Sequence, residues 1–262
     1  MTPIRAVAFD MGGTLEDVRF DDDSRREAAS GLHALLVERD LDPGMSPHEL
    51  QAAVSTGMKA YQVWRERTEI ELPPERIWSQ YIFHRATGKR TRGWERRLAA
   101  AAEELALFYE DHFFNRRLRP EAPAALSELR ELGLRLAVIS NITSRRIVPQ
   151  KLACYGLDRF FEAVITSVDF GRRKPHASIF LETARRMALP PETCAYVGDT
   201  VSRDIIGARR AGYGLAIQIR SFLTEKSADR GTEDVQPDAV IRDLTEVVGL
   251  VTPMEARHAG RG

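Results

Sequence analysis

Little in this chain points to a stapled, membrane-embedded or strongly charged protein. Its 262 residues hold two cysteines, Cys154 and Cys194, too few for a disulfide framework. Both lie in apolar surroundings along the sequence, and a reducing cytoplasmic setting is expected. No run of about 18 apolar residues occurs, so no membrane span is expected. Lys+Arg and Asp+Glu both number 38, and the formal net charge of zero gives no reason to expect a nucleic-acid or membrane partner. Met1-Thr2-Pro3-Ile4-Arg5 runs straight into an apolar stretch, which leaves no room for a signal peptide. Internal repeats and low-complexity segments are absent. The composition that remains, 43% hydrophobic and 29% charged, is that of a globular protein long enough for one large domain or two modest ones.

The most informative stretch is Ala6-Val7-Ala8-Phe9-Asp10-Met11-Gly12-Gly13-Thr14-Leu15. The apolar run is too short for a helix and reads as a buried strand. The glycines after it predict a sharp turn, where backbone can approach a ligand closely. Asp10 would then stand at the carboxyl end of a strand, where open α/β sheets place their ligands.

From Asp17 to Arg119 the pattern is helical, with no convincing strand. Apolar residues recur at helical spacing between Ser24 and Leu41. Ser46-Pro47-His48-Glu49 is a helix start, with Ser as cap and Glu three residues on, predicting a helix through Trp64. Pro73-Pro74-Glu75 opens another towards Gly88, and Trp94 to Phe114 gives a fourth. After Arg119 strands and helices alternate. Strands are expected at Leu134–Ile139, Ala163–Thr166, Cys194–Gly198, Leu215–Ile219 and Pro237–Ile241, with a loop from Asp169 to Lys174 and a polar surface loop from Ser221 to Gln236. The fold class expected is α/β, a doubly wound parallel sheet with an inserted α-helical cap domain. Its core would take residues 1–16 and 120–252, the cap residues 17–119, and a flexible tail residues 253–262.

Four strand ends or loops after strands bring polar groups to one edge: Asp10, Ser140 with Asn141, Lys174, and Asp199 with Asp204. Converging carboxylates repel unless a cation joins them, and hard oxygen ligands in small number suit Mg²⁺. A lysine and a hydroxyl nearby can hold the oxygens of a phosphoryl group. The chemistry suggested is phosphoryl transfer to a carboxylate, where positioning and charge neutralisation supply most of the rate.

These residues resemble the four motifs of the haloacid dehalogenase (HAD) superfamily with a helical cap of the C1 type. Phe9-Asp10-Met11-Gly12-Gly13-Thr14-Leu15 is similar to the first motif, whose first Asp is the nucleophile. Val138-Ile139-Ser140-Asn141 resembles the second, Arg173-Lys174-Pro175 the third, and Val197-Gly198-Asp199-Thr200 with Asp204 the fourth. The resemblance implies a hydrolase in which Asp10, Lys174 and Ser140 are catalytic. Gly13, Thr14 and Asn141 would bind a small phosphorylated substrate. Asp10, the Gly12 carbonyl, Asp199 and Asp204 would hold Mg²⁺, Asp204 through second-shell contacts if not directly. A cytoplasmic monomer or homodimer is expected.

One position departs from the pattern. The family's phosphatases carry a second Asp two residues after the nucleophile, which protonates the leaving group and then activates water; here that residue is Gly12. Losing a positioned acid/base typically costs about 10²–10⁴-fold in rate. Glu16, Asp17 or the Asp21-Asp22-Asp23 run could replace it, although a run of charges usually forms a solvated turn. A phosphonatase is an alternative, with Lys59 on a cap helix as a Schiff-base lysine. So are a haloacid dehalogenase, whose leaving halide needs no proton, and a phospho-ligand-binding protein without turnover. Trp64, Trp78, Tyr81 and Phe83 are expected mainly as packing, and His84 and His112 carry no specific signal.

Overall fold

A computed structural model describes residues 2–84, 91–221 and 235–252. Strand β1 (Ala6–Phe9) leads to β2 (Glu16–Arg19), then to helices α1 (Asp22–Glu38), α2 (Pro47–Thr68), α3 (Pro74–Ile77) with a π-helical turn at Trp78–Ile82, and α4 (Arg92–His112). Strand β3 (Asn115–Leu118) returns the chain. Then follow α5 (Ala122–Glu131), β4 (Arg135–Ser140), α6 (Ile147–Cys154), β5 (Ala163–Thr166), α7 (Ser167–Phe170), α8 (Ala177–Arg186) and β6 (Cys194–Gly198). A π-helical turn at Val201–Ile205 runs into α9 (Ile206–Arg210), before β7 (Leu215–Ile219), β8 (Ala239–Ile241) and α10 (Glu246–Val251).

The fold is α/β, built on a six-stranded sheet in the order β5-β4-β1-β6-β7-β8, every pair parallel. Its strands read as continuous apolar runs because both faces are covered. In β1, Val7 and Phe9 pack on one face with Leu126, Leu136 and Val138, while Ala6 and Ala8 join Ile139 and Phe180 on the other. Fully burying each of the larger side chains contributes roughly 1.5–3 kcal/mol. As the most central strand with β6, β1 delivers its carboxyl end to the middle of one edge.

The helical insert has its own apolar cluster, including Leu32, Leu50, Tyr61, Trp78, Phe83 and Leu98. Ser46 accepts from Glu49 N while Glu49 Oε2 accepts from Ser46 N at 2.7 Å, the capping box that starts α2. On α4, Leu98, Ala101, Ala102, Leu105 and Ala106 form the buried stripe.

Three expectations need correction. The stretch read as wholly helical contains β2 and, at its end, β3, which pair antiparallel from Glu16↔Leu118 to Arg19↔Asn115. Their residues are largely charged, so period-two alternation is hidden; backbone pairing and the buried Arg116–Glu16 ion pair join them, with Val18 buried. The loop before Lys174 opens with the short helix α7, capped by Thr166. Cys154 is exposed rather than apolar in its surroundings, whereas Cys194 is buried. The tail 253–262, residues 85–90 and most of the polar stretch after Ser221 lie outside the described residues. Among the described residues no helix is long and apolar enough to cross a membrane.

Candidate active site

Parallel strands β4, β1 and β6 lie side by side, so their carboxyl ends place Ser140, Asp10 and Asp199 within a few strand spacings of one another. Asp10 extends the ladder by one residue, donating its N–H to Val197 O at 2.9 Å. The turn that follows is tight, with Gly13 at φ +85°. A Cβ there would lie 2.3 Å from Asp199 Oδ2, so only glycine lets this turn approach the aspartate so closely.

Lys174 crosses the cluster. Its Nζ lies 2.9 Å from Asp10 Oδ1, 2.6 Å from Asp204 Oδ1 and 2.7 Å from the Tyr196 hydroxyl. All three ammonium protons are thereby engaged. Asp10 Oδ1 also accepts from Met11 N at 2.7 Å. Asp199 accepts from Thr200 Oγ1 and Ser221 Oγ, both at 2.7 Å. Burial pushes Asp10 up to about 7, against the pull of Lys174 and with Asp204 and Asp199 adding to the push. Asp199 is raised by burial and by Asp204. Asp204 resists the same burial because Lys174 and Arg203 hold it below its ordinary value.

One carboxylate oxygen from each of Asp10, Asp199 and Asp204 comes within 4.8 Å of the others. Two buried carboxylates driven upward mark a site short of positive charge, and an all-oxygen donor set fits a hard divalent cation. The three aspartates differ in availability. Asp204 gives Oδ1 to Lys174 and Tyr196, and Oδ2 to Thr200 N at 2.9 Å. Asp204 is the one of the three with two donors on a single oxygen besides a backbone N–H on the other, while Asp199 is held by the Thr200 and Ser221 hydroxyls.

The other expected site residues are placed as follows. Ser140 is buried and ends β4, its backbone in register with Thr166. Thr14 Oγ1 is buried with no hydrogen-bond partner among the described residues, a hydroxyl left over beside the Asp10 turn. Gly13 gives its N–H to Glu16 O at 2.7 Å. Asn141 donates Nδ2 to Lys174 O at 3.0 Å and accepts from Lys174 N at 2.9 Å, a two-point clamp on the lysine backbone. Of the three groups expected to contact substrate, Gly13 N–H and the Asn141 amide make hydrogen bonds within the protein, and the Thr14 hydroxyl makes none among the described residues.

Several polar residues around this cluster carried no sequence signal strong enough to single them out. Tyr196 is a polar tip inside an apolar strand, and that mismatch was the available clue. Glu16, expected as one substitute for the missing acid, has both oxygens taken, by Arg116 Nη1 at 2.5 Å and the Tyr155 hydroxyl at 3.0 Å. Arg116 Nη2 also reaches Glu110 Oε2 at 2.9 Å, and Glu110 Oε1 accepts from Thr143 N and Oγ1. A second buried carboxylate, Glu71 of the insert, accepts from Arg173 and Ser167 of the core. Asp21 caps α1 and Asp22 and Asp23 lie in its first turn. Lys59 on α2, His84 in the turn after the π-helical segment and His112 at the end of α4 are all exposed.

Residues 4–212 match the family model described as haloacid dehalogenase-like hydrolase. A glyceraldehyde 3-phosphate phosphatase of Methanopyrus kandleri is 32% identical over 250 residues, covering 94% of this chain and 97% of that protein. A phosphoserine phosphatase of Thermus thermophilus is 33% identical over 57% of this chain and 59% of its own length. Among solved structures, a 2-haloacid dehalogenase from Pseudomonas syringae pv. Tomato superposes with a TM-score of 0.67 at 24% identity, covering 97% of this chain and 99% of that one. At that identity the likeness speaks for the fold.

Proposed function

The chain belongs to the haloacid dehalogenase-like hydrolase family, and from that premise we propose that it is a Mg²⁺-dependent phosphatase acting on a small phosphate ester through a phosphorylated Asp10. The observation that carries this reading is the buried Asp10–Lys174–Asp204 bridge beside Asp199. The phosphatase names of two relatives support the choice of substrate class.

Asp10, Asp199 and the Gly12 carbonyl would hold the metal. When bound, Mg²⁺ supplies positive charge against the phosphoryl oxygens and lowers the repulsion between phosphate and carboxylate. Asp10 is oriented by Met11 N and Lys174, and its carboxylate attacks phosphorus. Lys174 pulls Asp10 towards its ionised form against the effect of burial, and its fixed charge needs little reorganisation as negative charge develops. Ser140 and the unpartnered Thr14 hydroxyl supply donors for the phosphoryl group. Asn141 acts one step back, fixing the lysine. The helical insert, residues 17–119, serves as a cap that excludes water and shapes the pocket.

Gly12 supports a second reading, in which the leaving group departs as an anion and needs no proton from the enzyme. Position 12, where the family's phosphatases place their acid, borders the Arg116 guanidinium here. A halide or the carboxylate of an acyl phosphate would suit such a site. Rates across phosphate esters of graded leaving-group acidity separate the two: a steep rise with acidity favours the anion reading, and a flat profile favours the first. The primary test is turnover. Asp10→Asn is expected to abolish metal-dependent phosphate release, and full activity in that variant would overturn the mechanism.

A further inference from the structure

Arg65 projects from α2 with its side chain 19% exposed. Among the described residues its nearest carboxylate is Glu71, whose Oε1 lies 3.7 Å from Nη1, beyond hydrogen-bond reach. Nε is buried without a hydrogen-bond partner among the described residues. One face of the guanidinium is covered by the Tyr61 ring, 5.1 Å from its centroid. Glu71 meanwhile is saturated by other donors. Its Oε1 accepts from Tyr61 OH at 2.5 Å, and its Oε2 accepts from Arg173 Nη1 and Ser167 Oγ, each at 2.8 Å. Two guanidiniums therefore share one buried carboxylate, and the cluster carries excess positive charge. Burial and the nearby Arg65 charge lower Arg173 to about 10, in keeping with that excess. A largely buried guanidinium without a hydrogen-bonded anion is unfavourable until an anion reaches it.

The cluster lies against both loops of the candidate site. Arg173 immediately precedes Lys174, and Ser167 Oγ accepts from Ile142 N at 2.9 Å, next to Asn141. Arg65 thus stands on the insert's side of the Lys174 loop, joined to it through Glu71 and Arg173.

We propose that Arg65 determines specificity by pairing with a second anionic group, a carboxylate or a further phosphate, on the ester whose phosphoryl group meets Asp10. The inference rests on the phosphatase reading and narrows its substrate class to doubly anionic phosphate esters. A charge-assisted hydrogen bond of this kind gives about a ten- to hundred-fold preference.

The test compares kcat/KM for 3-phosphoglycerate and glycerol 3-phosphate, which differ in a carboxylate against a neutral carbinol, in the wild type, Arg65→Met and Arg65→Lys. The wild type is expected to favour 3-phosphoglycerate. R65M should erase the preference, through KM for the carboxylate-bearing ester, and R65K should restore part of it. Equal kcat/KM in the wild type, or an equal loss on both esters in R65M, overturns the proposal. Calorimetric binding of phosphonoacetate against ethylphosphonate, with Mg²⁺ present, gives a readout independent of turnover. If neither ester is hydrolysed, the phosphatase reading fails, while tighter phosphonoacetate binding that R65M loses would still support Arg65. No difference between the phosphonates overturns it.

Discussion

Arg116 Nη1 lies 3.6 Å from where a Cβ on Gly12 would stand, with Val18 Cγ2 at 3.3 Å from the same point. The missing side chain has therefore left a space bordered by a cation, itself pinned by Glu16 and Glu110. A side chain introduced there would need only a small shift of Val18. Gly12→Asp is predicted to fold and to raise phosphate release by about 10²-fold, the lower end of what a positioned acid/base contributes. Steady-state turnover checks this. An unchanged rate in folded G12D would mean that the reaction lacks nothing at this position.

Lys174 and Tyr196 should separate in magnitude. Tyr196→Phe removes one neutral hydrogen-bond partner of the ammonium while leaving both carboxylates in place. Its kcat is expected to fall by about five-fold, the worth of one ordinary hydrogen bond, with KM little changed. Lys174→Met removes the charge that opposes protonation of Asp10 and should cost about 10³-fold in kcat. A Y196F loss as large as that of K174M would show that the hydroxyl does more than orient the lysine.

Metal affinity should depend on pH. In the metal-free protein Asp10 is raised from 3.8 to about 7, so the folded state holds that proton more tightly than the unfolded chain. The resulting contribution to stability is complete below about pH 4 and is lost as pH rises through about 7. Mg²⁺ must displace the same proton, so its affinity should increase from pH 6 to pH 8. The melting temperature of metal-free protein should lose this contribution over that range, and the increment from Mg²⁺ should grow. Calorimetric titration at the two pH values measures the first, and thermal melts with and without Mg²⁺ the second. A pH-independent affinity would contradict a site built on Asp10.

Glu71 joins insert to core through buried partners. Glu71→Gln leaves Arg173 without its carboxylate, and breaking a buried ion pair typically costs about 3–5 kcal/mol. Urea denaturation should show that loss, and a midpoint like that of the wild type would mean the contact is not formed in solution.

The strand ends were legible because buried parallel strands are short apolar runs, and polar residues directly after them stand out. Asp10, Asp199, Asp204 and Lys174 could be expected on one edge for that reason, and the structure brings their side chains together. Ser46 announced α2 through local capping chemistry alone. The β2–β3 ribbon stayed hidden because Glu16, Asp17, Arg116 and Arg117 give no apolar pattern. The hydrogen bonds of Asn141 to the Lys174 backbone and of Gly13 to Glu16 are choices that only the three-dimensional arrangement determines. The meeting of Arg65, Glu71 and Arg173 joins residues over a hundred positions apart in sequence, beyond the reach of any local periodicity.

The most direct measurement is intact-protein mass after rapid acid quench of a reaction with acetyl phosphate and Mg²⁺, followed by peptide mapping. A single phosphoryl adduct on the Asp10 peptide of the wild type, absent from Asp10→Asn, is the predicted result. Phosphate release with no adduct at any quench time, or an equal adduct on D10N, would contradict a phosphorylated Asp10.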